Sequence, residues 1–168
     1  NDVLVPIDWP LRLKLATDIV QGMMHLHSLS PPLVHRDLKS PNVFLNQPLV
    51  GVQISDWQVP IAKVGDFGLS IRLLGSNQLD VAEGQAMDHI NPTWAAPEVL
   101  SKAKYSTEAD VYAIGITLWE LLLRAHPFDG DVDSKFVASY VCQGNRPSIP
   151  AAIEKETPPE YLALMKAC

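Results

Sequence analysis

The chain has 168 residues, 47% of them apolar, and a formal charge of −6 with His neutral. This fits one soluble globular domain or a large piece of one, and the mild acidity without a basic patch argues against nucleic acid as a partner. Two cysteines, Cys142 and Cys168, match neither a metal spacing nor a disulfide framework, which points to a reducing, cytoplasmic setting.

In chain order, the sequence opens at Asn1 without Met and without a signal peptide. "DWPLRLKLATDIVQGMMHLHS" predicts a helix: Asp8 suits the N-cap, and Pro10 sits in the first turn, where its missing N–H does no harm. Leu15, Ile19, Met23 and Leu26 recur at helical spacing and should line one buried face. Ser28 to Pro32 end it. Short strands are expected at Leu33–Val34, Val43–Leu45 and Ile61–Val64, the last two joined by a long hairpin connection broken by Pro48, Gly51 and Pro60. From Gly65 to Asn91 the sequence is polar, carries Gly75 and Gly84, and reads as one long mobile loop. Helix returns after Pro97. "STEADVYAIGITLWELLLRAHPF" has Ser106 near its cap and apolar residues nearly all round, the mark of a helix buried in the middle of a domain. Its apolar run is too short to span a bilayer and holds Glu120. A shorter helix follows the Asp129-Gly130 turn, "NRPSIP" is extended, and "TPPEYLALMKAC" starts another helix. The expected fold is mainly α with a small β-hairpin sheet. Because the last helix is cut at Cys168, the chain reads as part of a larger domain, which leaves room for a membrane anchor elsewhere in the parent.

The stretch "HRDLKSPN" places His35, Arg36, Asp37, Lys39 and Asn42 within eight residues between two apolar strands. Polar groups at that density cost free energy unless paired or used. Phosphoryl transfer from a nucleotide needs a carboxylate to take the proton of the attacking hydroxyl, oxygen ligands for Mg²⁺ and a positive charge near the transferred group. Asp37 supplies the base, Lys39 the charge and Asn42 one metal ligand. A second carboxylate is needed, and Asp66 offers it in "VGDFGLS", just after a predicted strand.

These residues resemble the motifs of protein kinases. "HRDLKSPN" is similar to the catalytic loop H-R-D-L-x-x-x-N, Asp66-Phe67-Gly68 to the metal-binding D-F-G, and Ala96-Pro97-Glu98 to the A-P-E that closes the activation segment. Three such motifs in the right order cover essentially the whole chain. The phrasing resembles the tyrosine-kinase-like group, whose members mostly phosphorylate Ser and Thr. The resemblance implies residues 1–168 as the C-lobe of a kinase domain, with a catalytic loop at 35–42 and an activation segment at 66–98. It implies ATP and Mg²⁺ as cofactors and a protein as substrate. Lys39, Asn42, Phe44 and Asp66 would meet the nucleotide, Phe44 from beneath the adenine. His35 would pack against Phe67, and Asp110 would accept hydrogen bonds from the backbone around His35 and Arg36.

The chain also departs from the family pattern. No G-x-G-x-x-G, strand Lys or paired helix Glu lies within it, so the N-lobe is absent and the chain alone should lack useful activity. Glu98 is expected to lack the Arg that normally pairs with it. Ile90-Asn91 stands where the family carries Gly-Thr, and Asn91 is expected to bond the catalytic Asp and Lys in place of that Thr. Blander readings stand beside these. Asp37 alone is an ordinary turn residue, Lys39 a solvated lysine, Phe44 a core residue, and Trp94 and Trp119 core or groove packing. Arg36 suggests phosphate control of the activation segment, where Ser70, Ser76 and Thr93 lie. The rivals in function are a non-catalytic scaffold and a small-molecule phosphotransferase. All three of Asp37, Asn42 and Asp66 argue against the first, and the "APE" segment argues against the second.

Overall fold

The computed structural model describes residues 6–49, 52, 54, 56–73, 79–80, 90–101 and 104–168. Gly75, Ser76 and Gly84 lie outside them.

Helix α1 runs Trp9–Ser28. Asp8 caps it from an extended backbone, its carboxylate accepting the Leu11 N–H at 3.0 Å. Leu15, Ile19, Met23 and Leu26 are all buried on its inner face. So are two charged residues of the same helix. Lys14 Nζ donates to Asp18 Oδ1 at 2.5 Å and to the Trp57 carbonyl at 2.8 Å. Asp18 Oδ2 accepts the Ile61 and Ala62 N–H groups at 2.8 and 3.1 Å. This pair seats the long hairpin on α1.

After Leu29 the chain reaches β1 (Leu33–Val34), a 3₁₀ turn at Ser40–Asn42 and β2 (Val43–Leu45). β2 pairs antiparallel with β3 (Ala62–Val64), in register Val43↔Val64, Phe44↔Lys63 and Leu45↔Ala62. β1 pairs with β4 (Ile71–Arg72), and β5 (Leu79–Asp80) with β6 (Lys104–Tyr105). The expected single hairpin is thus three separate two-stranded pairs among the described residues. β4 interrupts the stretch read as a loop from Gly65 to Asn91. Two residues carry no readable alternation, and this strand exists by its pairing, which the Leu73 N–H extends to the Pro32 carbonyl at 3.0 Å.

The rest is helical: α2 (Pro97–Leu100), α3 (Thr107–Leu123), α4 (Val137–Cys142) behind a 3₁₀ turn at Ser134–Phe136, α5 (Ala151–Glu156) and α6 (Pro159–Ala167). Ser106 is the N-cap of α3, although its side chain makes no capping bond. α3 is the axis of the molecule. On one flank Ala113, Ile114 and Leu118 pack with Met23 of α1 and Tyr161 and Met165 of α6. On the other, Tyr112 and Ile116 pack with Trp94, Val99 and Val141. Burying such side chains contributes about 1.5–3 kcal/mol each, so α3 is anchored on both sides. Gly115 allows the close approach of α6, since a Cβ there would stand 2.9 Å from Cys168 Cβ and 3.2 Å from the Met165 carbonyl oxygen.

Candidate active site

Residues 35–42 are arranged by groups distant in sequence. Asp110, 2% exposed near the start of α3, accepts the His35 N–H at 2.8 Å and the Arg36 N–H at 2.9 Å. The same carboxylate meets His27 Nε2 at 2.8 Å. These bonds hold Arg36 at φ +71°, a left-handed conformation unusual for a residue with a Cβ. The bend turns the chain from β1 toward Asp37.

His35 is fully buried and sets the next connection. Its Nδ1 accepts the Asp37 N–H at 3.3 Å, so Nε2 carries the proton and donates to the Gly65 carbonyl at 3.0 Å. The Gly65 N–H donates to the Asn42 carbonyl at 3.0 Å. Gly65 therefore ties the catalytic loop to the end of β3, and the next residue is Asp66. The His35 ring meets Phe67 at 5.3 Å between centroids.

Around Asp37 the charges are matched. Lys39 Nζ donates to both carboxylate oxygens at 2.9 Å. Asn42 Nδ2 donates to Asp37 Oδ2 at 2.9 Å and to the Asp37 carbonyl at 2.7 Å. The Asn42 amide nitrogen is thus committed to Asp37, and among the described residues its Oδ1 accepts no hydrogen bond. Asp66, at φ +60°, is exposed, and among the described residues its carboxylate receives only the Gly68 N–H at 3.4 Å. One amide oxygen and one under-used carboxylate, joined through Gly65, form the hard-oxygen set that fits Mg²⁺, which takes one or two carboxylates and completes its shell with water and phosphate.

Other expected residues are placed differently. Phe44 is 55% exposed, which excludes the core reading. Its ring lies on Gly65, where a Cβ would come within 2.9 Å of it. Asn91 does not reach Asp37 or Lys39 through any hydrogen bond among the described residues. Its Oδ1 accepts the Thr93 N–H at 3.1 Å and its carbonyl the Trp94 N–H at 3.3 Å. The planar amide side chain closes its own turn, so the expected substitution for Thr is not realised. Glu98 is half-buried and has no hydrogen bond or ion pair among the described residues. Ser70 and Thr93 are poor phosphate acceptors: Ser70 Oγ donates to the His35 carbonyl at 3.3 Å, and Thr93 is buried. Trp94 and Trp119 are buried in the core. The Arg36 guanidinium stacks on Tyr105 at 4.6 Å, and its Nε is buried without a hydrogen-bond partner among the described residues. Burial pushes the Tyr105 phenol up, with the Arg36 cation pulling the other way.

Three contributors escaped the sequence reading: His27 beneath Asp110, the Lys14–Asp18 pair, and Glu120. A signal existed for two of them. Lys14 and Asp18 stand four apart beside the apolar stripe of α1, and Glu120 is the one charge within the apolar run of α3.

Comparison with known proteins agrees with this geometry. Residues 5–168 match the family described as protein tyrosine and serine/threonine kinase. In Dictyostelium discoideum, the protein named cyclic GMP-binding protein C is 44% identical over 168 residues, covering 98% of this chain and 6% of that protein. The probable serine/threonine-protein kinases roco8 and roco6 are each 42% identical, over 85% and 96% of this chain and 7% of their own length. The chain therefore spans less than a tenth of these relatives. On the match over nearly its whole length, the chain belongs to the protein tyrosine and serine/threonine kinase family.

Proposed function

We propose that the protein carrying this chain is an ATP- and Mg²⁺-dependent kinase that phosphorylates Ser or Thr in proteins. In this reading residues 1–168 form the C-lobe of its catalytic domain, with the catalytic loop at 35–42 and the activation segment at 66–98. The observation that carries it is the Asp37 carboxylate, gripped by Lys39 Nζ and Asn42 Nδ2 while Asn42 Oδ1 accepts no hydrogen bond among the described residues. A carboxylate so oriented takes the proton of an incoming hydroxyl as its oxygen bonds the γ-phosphorus of ATP and the bond from that phosphorus to the bridging oxygen breaks, releasing ADP. Lys39, already beside Asp37, turns its charge to the transferred phosphoryl group. Asn42 and Asp66 hold Mg²⁺, which when bound neutralises phosphate charge. Phe44 offers its exposed ring to the adenine, and Gly65 leaves it the space. Parts outside these 168 residues cover the phosphates, so the activity is that of the whole protein. The buried Nε of Arg36, unpartnered among the described residues, supports a phosphate-sensing role for that side chain.

The partners in this reading are ATP and a protein substrate, with no nucleic acid, and the catalytic unit works in the cytoplasm. Among the described residues no helix is long and apolar enough to cross a membrane. The test is labelled phosphate transfer from ATP by the full-length protein, beside its Asp37→Asn variant, to protein substrates and to small alcohols. Asp37-dependent label on protein Ser or Thr is expected. Label only on small molecules, or transfer indifferent to Asp37, would overturn the reading.

A further inference from the structure

Glu120 sits within the last turn of α3, and its carboxylate is shared between two walls of the site. Its Oε1 accepts the Ser40 hydroxyl at 2.6 Å, and its Oε2 accepts the Ser40 N–H at 3.3 Å. The same Oε2 accepts the indole N–H of Trp94 at 2.7 Å. Ser40 directly follows Lys39 and opens the 3₁₀ turn that carries Asn42. Trp94 ends the turn begun at Asn91, is buried, and meets the His126 ring edge-on at 5.4 Å. Asn91, Trp94 and Ala95 line a narrow cleft together with Asp37. One carboxylate thus touches the catalytic turn and the wall that faces it across Asp37.

We propose that Glu120 is a positioning residue for phosphoryl transfer, holding the catalytic turn and the activation-segment wall at a fixed separation so that an acceptor hydroxyl meets Asp37. The proposal rests on the kinase reading above. The chemistry suits the task. Only a carboxylate offers two acceptor oxygens to three donors at once, since a Gln amide would turn N–H groups toward one of the walls. Bonds to an ionised acceptor are also roughly twice as strong as neutral ones. The seat is rigid, because α3 is packed on both flanks by core side chains. An error of about 1 Å in the approach of the acceptor costs on the order of 10²-fold in rate, so the fixed spacing has a direct consequence for turnover.

The test uses the full-length protein with Glu120→Ala, Glu120→Gln and Trp94→Phe, the last keeping an aromatic ring while removing the donor. Hydrogen exchange should quicken about tenfold in both 38–42 and 92–96 when Glu120 is replaced by Ala. In kinetics, kcat/KM for a protein acceptor should fall about tenfold or more while nucleotide affinity stays within about twofold. Glu120→Ala combined with Trp94→Phe should lose much less than the product of the two single losses. Faster exchange in only one segment would overturn the proposal. So would multiplicative losses, or nucleotide affinity falling in step with acceptor turnover. A wild-type protein that transfers no phosphate refutes the kinase reading instead, and the exchange result still decides whether Glu120 couples the two walls.

Discussion

Replacing Asp18 alone in the buried Lys14–Asp18 pair should damage this domain more than replacing both residues. Both side chains are fully shielded from solvent. Lys14→Met leaves the Asp18 carboxylate with the Ile61 and Ala62 N–H groups as its remaining donors. Breaking a buried pair this way costs about 3–5 kcal/mol. Asp18→Leu strands the ammonium and also orphans those two N–H groups, each worth a further ~1–3 kcal/mol. The double variant removes both charges, so only the orphaned N–H groups remain, at roughly 2–6 kcal/mol. Domains are typically stable by about 5–15 kcal/mol, so Asp18→Leu should take most or all of that margin. The assay is urea denaturation of the kinase domain, followed by tryptophan fluorescence and circular dichroism to confirm a single transition. Expected is the order Asp18→Leu worst, with the double variant more stable than it. If the two single effects add to within about 0.5 kcal/mol, the ions are not coupled and this account of the hairpin's anchorage is wrong.

Three further outcomes are expected. In the full-length protein Asp37→Asn should lower kcat by about 10² to 10⁴ with nucleotide affinity kept, whereas Asp66→Asn should raise the Mg²⁺ needed for nucleotide binding; titration of a fluorescent nucleotide against Mg²⁺ separates the two. Burial pushes the Tyr112 phenol up to about 12 and raises that of Tyr161 as well, so the unfolded chain sheds these protons first. Stability should therefore be intact below pH 10 and fall as the pH climbs toward 12, and Tyr112→Phe with Tyr161→Phe should flatten that decline in alkaline melts. Finally, a degenerate peptide array should take label on Ser and Thr, because Lys39 beside Asp37 suits a short acceptor that enters deeply; label chiefly on Tyr would remove that role from Lys39.

The sequence carried local features well and pairings poorly. α1 was legible from its cap, its proline and its apolar stripe, and α3 from apolar residues on every side. β2 and β3 showed as short apolar runs bounded by breakers. β4, β5 and β6 did not, because these two-residue strands lie in or beside polar sequence and exist only through partners far along the chain. α5 spans six residues behind Pro150, too short for a helical stripe to repeat. The Asn91 expectation failed for a geometric reason: a planar amide next to its own turn finds the Thr93 N–H before it finds Asp37.

The same division runs through the site. Asp37, Lys39 and Asn42 are close in sequence, so their spacing alone announces that they work together. What aims them is nonlocal. Asp110 and His27 stand on separate helices, yet His27 meets the Asp110 carboxylate that accepts the two N–H groups at the bend. Gly65 joins Asn42 to the strand that delivers Asp66 through one N–H and one carbonyl, a role that no side chain could advertise. A charged residue in an apolar run is the one clue that survives in such cases, because its burial costs too much to be accidental. Asp110 and Asp18 are buried in this way, and Glu120 is half-buried. Each accepts two or more backbone or indole N–H groups from a segment that must be held in place. In this fold, then, an acid on a packed helix marks where a loop is fastened, and the loops fastened here are those that carry Asp37, Asn42 and Asp66.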